Sequence, residues 1–152
     1  MNNYENSGNI AEIEVSYKSK VKPGDRVQIT NSRASVEVLR SVWSGNMELY
    51  EEFVILCLNR ANKVLGWVKV SQGGITGTVV DSRLIFGIAL KAAASSIILR
   101  HNHPSGNTKP SDEDISITKR LREAGKLLDI AVLDHVILTA ESYYSFADEN
   151  LI

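Results

Sequence analysis

The chain has 152 residues, of which 43% are hydrophobic and 23% charged, a balance that fits one soluble domain with one core. Seventeen Lys and Arg against eighteen Asp and Glu leave a net charge of −1, which argues against a generic polyanion binder, because non-specific nucleic-acid affinity needs clustered positive charge. The single cysteine, Cys57, excludes an internal disulfide or a cysteine metal cluster and suits a reducing cytoplasm.

Residues 1–9 are polar and Asn-rich and read as a flexible tail, so the domain is expected to span 10–152. Residues 1–17 hold no Lys or Arg and the longest clean apolar run is 53–58, so neither a signal peptide nor a membrane span is expected here. Ile13, Val15 and Tyr17 alternate with polar residues as in a half-buried strand. After the Pro23-Gly24-Asp25 turn, Asn31 or Ser32 can cap a helix with Val36, Leu39, Val42 and Trp43 on its apolar side, ended by Gly45-Asn46. The run 53–58 is apolar on both parities, as a central strand would be, and Asn59 to Asn62 turn it into a second strand over 63–70. Asp81 or Ser82 then caps a helix carrying Leu84, Ile85, Ile88, Ala89 and Ala92. A buried strand over 97–100 leads to a loop over 101–110, an amphipathic helix over 111–126 with Ile115, Ile117 and Leu121 inward, and a strand over 130–138.

The chemistry concentrates in His101-Asn102-His103-Pro104-Ser105-Gly106 and Pro110-Ser111-Asp112-Glu113-Asp114. Two histidines one residue apart at a strand end point to the same side, so both imidazoles can reach one cation. Pro104 and Gly106 turn the chain back, which lets Asp114, in the first turn of the next helix, join them. Two His and one Asp with one open position is the ligand set of a catalytic zinc. A chain of this size folds without metal staples, so a metal here would be functional. Ser111-x-x-Asp114 also matches a capping box, and either reading accounts for it. Of the neighbours Glu51 and Glu52, parity allows only one to face the histidines: Glu51 shares a face with Phe53, Ile55 and Cys57, and Glu52 with Val54, Leu56 and Leu58.

His101, His103, Pro104, Ser111 and Asp114 have the spacing of the JAMM metalloprotease signature, His-x-His-Pro, six residues, Ser-x-x-Asp, with an upstream Glu. Gly74, Val80, Asp81, Arg83, Ala89, Leu90, the run from His101 to Gly106, Leu133-Asp134-His135 and Tyr144-Ser145-Phe146-Ala147 further resemble the RadC branch of this JAB/MPN family. RadC proteins commonly carry a helix-hairpin-helix module before this domain, and the chain is expected to be a short form lacking it. The resemblance implies a single α/β domain of MPN/JAB type, similar to the cytidine deaminases, with a mixed sheet flanked by helices. It also implies one zinc per chain, held by His101, His103 and Asp114. In the RadC pattern the acid lies two residues before a Phe, which selects Glu51 as general base. Ser111 would donate a hydrogen bond to the tetrahedral oxyanion.

The implied function is zinc-dependent hydrolysis of peptide or isopeptide bonds in an extended protein segment, received by strand addition along the glycine-bearing stretch 71–80. The alternative is a DNA-associated or scaffolding module with a structural or vestigial metal site. Three other features carry less. His135 reads as a buried structural histidine and Cys57 as a core hydrophobe, since no Gly-x-Ser-x-Gly elbow or activating base accompanies them. Gly73, Gly74 and Gly77 lack the Lys of a phosphate loop, and Lys119, Arg120, Arg122 and Lys126 read as a solvated helix end.

Overall fold

The computed structural model describes residues 11–43, 45–73 and 78–152. Strands β1 (Glu52–Leu58) and β3 (Ser96–Asn102) are buried at every position, as strands covered on both faces must be. With β2 (Val64–Gln72), β4 (Ala131–Leu138) and β5 (Tyr143–Ser145) they form a five-stranded sheet in the order β2-β1-β3-β4-β5. Only the β3–β4 pair is parallel, so the sheet is mixed. Among the described residues three α-helices flank it, α1 (Ser32–Ser41), α2 (Ser82–Lys91) and α3 (Asp112–Leu127), and the chain is an α/β domain.

Alternation along the central strands sends neighbouring residues into different cores. Phe53, Ile55, Cys57, Ile97 and Leu99 pack with Ile85, Phe86 and Ala89 of α2 and Leu121 of α3. Val54, Leu56, Leu58, Ile98, Val136 and Leu138 pack on the other face with Val36 and Leu39 of α1. Each helix starts on a side chain that accepts an otherwise orphaned backbone N–H: Asn31 from Ala34, Asp81 from Arg83 and Ser111 from Asp114. At the end of α3 a Cβ on Gly125 would lie 2.2 Å from the Ile130 carbonyl oxygen, so the turn into β4 requires glycine there.

Several expected boundaries are corrected. Residues 11–20 form no strand, and Ile13 is 85% exposed. The outer edge of β2 that such a strand would join is taken at its start by the Gln28 to Lys63 bridge, where Val64 N–H donates to Val27 O and Ile29 N–H to Asn62 O. Tyr17 contributes one bond, from its hydroxyl to the Leu65 carbonyl at 2.6 Å. α1 stops at Ser41, leaving Trp43 beyond the helix, where its ring lies 3.9 Å from the Arg100 guanidinium carbon. β2 runs two residues past the expected end. His101 and Asn102 belong to β3 rather than to a loop, because they pair with Ile137 and Leu138 of β4. Ile115 faces solvent, and Thr118 takes the buried position on α3. The short strand β5 had no cue in the sequence. The tail expected over 1–9 lies outside the described residues. Among them, no helix is long and apolar enough to cross a membrane.

Candidate metal centre

The end of the sheet where β1 begins and β3 ends opens into a cleft of about 710 Å³, lined by Glu51, Phe53, His101, His103, Ser111, Glu113, Asp114 and Arg120. His101 is buried at the last face-matching position of β3, and His103 is half-buried just past the strand. Gly106, at φ +82°, closes a turn in which its N–H donates to the His103 carbonyl, and this turn returns the chain toward α3. Asp114 thereby meets both imidazoles, Oδ1 at 3.1 Å from His101 Nε2 and Oδ2 at 3.3 Å from His103 Nε2. Glu51 Oε1 lies 4.0 Å from His101 Nε2. One ligand atom from each of Glu51, His101 and His103 falls within 4.8 Å of the others. Glu52 points to the opposite face, where its carboxylate is 3.6 Å from Arg100 Nη2.

Hydrogen bonding behind the histidines dictates which nitrogens face the cleft. The Thr118 hydroxyl has one proton and gives it to the Asp114 carbonyl at 2.6 Å, since a carbonyl can only accept. Its oxygen must then accept from His135 Nδ1, also at 2.6 Å. Burial drives the His135 pKa well below its ordinary value, so the ring is neutral and its Nε2 is unprotonated. That atom is 2.7 Å from His101 Nδ1, which is therefore the donor. His103 Nδ1 likewise donates, to the Asn107 carbonyl at 2.6 Å. Both histidines are left with Nε2 turned to the cleft, 2.9 Å apart and against a carboxylate. Phe53 stacks on His101 and Phe146 on His135, which holds the rings in place.

Such a concentration of acceptors needs positive charge between them, supplied by protons or by a cation. Burial acts to raise the Asp114 carboxyl, but hydrogen bonds with His101 and His103 outweigh it and hold the group far below the usual carboxylate range. The hydrogen bond to Asp114 raises the His103 pKa. Burial raises Glu51, against the lowering influence of the two histidines. Two imidazole Nε2 atoms whose other nitrogens are hydrogen-bonded, with carboxylate oxygens beside them, suit zinc among the common biological cations.

Ser111 and Asp114 do form a complete capping box: Ser111 Oγ accepts from Asp114 N–H at 3.1 Å, and Asp114 Oδ2 accepts from Ser111 N–H at 2.7 Å. The two readings of this motif are compatible, because the Ser111 hydroxyl keeps its proton and lines the cleft while Asp114 still reaches both histidines. His135 is buried, as expected, but it is also the orienting partner of His101. That link and the role of Thr118 were missed. No sequence signal marks Thr118. Cys57 is buried and unreactive, its thiol pushed up to about 11 by burial.

The family model for the RadC-like JAB domain matches residues 29–151. A UPF0758 protein of Flavobacterium johnsoniae is 44% identical over 124 residues, 82% of this chain and 53% of that protein. One from Alkaliphilus metalliredigens is 47% identical over 102 residues, 67% of this chain and 44% of the relative. One from Symbiobacterium thermophilum is 36% identical over 143 residues, 94% and 60% respectively. The chain spans about half the length of the curated relatives it matches. With the match running through both histidines, the capping box and the last strand, the chain belongs to the RadC-like JAB domain family.

Proposed function

We propose that this domain is a zinc-dependent hydrolase of peptide or isopeptide bonds in the cytoplasm, with His101, His103 and Asp114 holding one zinc per chain. The observation that carries the reading is the pair of Nε2 atoms fixed toward Asp114, with Glu51 standing at 4.0 Å, within proton-transfer reach through one water. When bound, zinc supplies Lewis acidity and makes water acidic enough to ionise near neutral pH. Glu51 accepts the proton of the attacking water and delivers it to the leaving amine, a task for which its raised pKa is suited. The Ser111 hydroxyl donates to the oxygen that becomes negative.

Among the described residues the cleft presents three carboxylates, Glu51, Glu113 and Asp114, against one arginine, Arg120. A polyanionic nucleic-acid backbone is poorly received there, whereas an uncharged amide is not. An extended substrate segment fits beside β2, which is an edge strand whose last residues, Ser71 and Gln72, pair with Phe53 and Glu52 at the mouth of the site. Thr78, Val79 and Val80 line the cleft, and the Thr78 hydroxyl donates to Ser71 at 2.8 Å, which ties the end of β2 to that wall, residues 74–77 lying outside the described residues. The test is a peptide and isopeptide library run beside single-stranded and duplex DNA, with metal analysis. Expected are about one zinc per chain, lost in His103→Ala and Asp114→Ala, and amide cleavage abolished by chelator and lowered about a hundredfold or more by Glu51→Gln. DNA cleavage that disappears in Glu51→Gln, with every amide intact, would overturn the reading.

A further inference from the structure

Between the two histidines stands Asn102, whose side chain alternation sends to the opposite face of the sheet, away from the cleft. It is fully buried, and it makes three hydrogen bonds, all to one short stretch of chain. Its Oδ1 accepts from the Glu52 N–H at 2.8 Å, while Nδ2 donates to the Tyr50 carbonyl at 2.6 Å and to the Met47 carbonyl at 2.9 Å. The β1–β3 ladder ends at the Phe53 to His101 pair, so beyond it the Asn102 amide takes the place of a backbone partner. The groups it holds are the carbonyl just before Glu51 and the N–H just after it. On the other side, Gly73 N–H donates to the Glu51 carbonyl at 2.8 Å. The Glu52 carboxylate is anchored too, 3.4 Å from Lys69 Nζ and 3.6 Å from the buried Arg100.

We infer that Asn102 is a positioning residue for Glu51: it ties the entrance of β1 to the strand that carries His101, so that the carboxylate and the metal ligands keep one spacing. This assignment deepens the hydrolase reading and rests on it for the catalytic role of Glu51, whereas the tether on the backbone of residues 50–52 does not depend on it. A placement shift of about 1 Å at a catalytic group can cost on the order of a hundredfold in rate.

Asn102→Ala and the milder Asn102→Ser, each alone and with Glu51→Gln, test it in the full chain. The readouts are amide hydrogen exchange, zinc content, and kcat and KM on whichever library peptide the wild type cleaves. Expected is Glu52 amide exchange faster by about tenfold or more with Ile55 to Cys57 unchanged, and zinc retained at wild-type stoichiometry. Expected too are a kcat lowered about tenfold or more, a KM within about twofold, and no further fall when Glu51 is already Gln. Unchanged Glu52 exchange in a folded variant, an equal kcat loss in both backgrounds, or failure of both variants to fold would overturn the positioning role. If the wild type cleaves no amide while Glu52 exchange responds as expected, the hydrolase reading fails and the tethering of Glu51 stands.

Discussion

The two faces of one sheet end hold similar groups to opposite effect. On the α2 and α3 face, Glu51, His101, His103 and Asp114 border an open cleft, with donors and acceptors turned toward a common point. On the α1 face, one residue along each strand, Glu52 and Arg100 meet under Trp43 with almost no exposure. Burial lowers the Arg100 pKa to about 10, the Glu52 charge acting in the other direction. Water access leaves the first arrangement open to a cation or a ligand. Closure makes the second a fastener, whose charges are committed to each other.

Adjacent glutamates should therefore fail in different ways. Glu52→Gln leaves the guanidinium of Arg100 buried without its carboxylate partner and is expected to cost about 3–5 kcal/mol, read by denaturant unfolding. Glu51→Gln should change stability by no more than about 0.5 kcal/mol yet lower kcat by about a hundredfold or more. A stable Glu52→Gln beside an unfolded Glu51→Gln would show the parity of β1 to be reversed.

A smaller effect is expected where the cleft leans on groups behind it. Thr118→Val removes the acceptor for His135 Nδ1, so the tautomer of His101 is no longer imposed. Zinc affinity should fall by about 10–100-fold in competition with a chelator of known affinity. The ring-nitrogen NMR shifts of His101 should then report a mixture of tautomers, and an unchanged affinity with a single tautomer would dismiss the chain of bonds from Thr118 to His101. Smallest is Ser111→Ala, which loses the α3 cap and should cost about 1 kcal/mol by thermal unfolding. If the hydroxyl also serves the oxyanion, kcat falls in the same variant with zinc still bound.

Much of this was legible in one dimension. Period-two alternation separates Glu51 from Glu52 and His101 and His103 from Asn102 without any coordinates, because strand geometry alone assigns the faces. The caps at Asn31, Asp81 and Ser111 were readable for a similar reason: each satisfies N–H groups within three residues. Ile13 to Tyr17 read as a strand because alternation marks a segment able to be one and says nothing about whether it lies in register along a sheet edge. Thr118 was illegible because a threonine in mid-helix looks like a weak helix former until the ring it supports, seventeen residues away, is placed beside it.

The sequence by itself determined the two-sided strands, the turn at Gly106 and the spacing of the His, Ser and Asp residues, all set by local geometry and by the period of apolar residues. Only the tertiary structure decided that His135 stands behind His101, that Asn102 holds the chain around Glu51, and that Arg100 finds Glu52. These contacts join residues 34, 50 and 48 positions apart. Their existence depends on strand order and register, which arise from packing two cores against one sheet and leave no periodic trace along the chain.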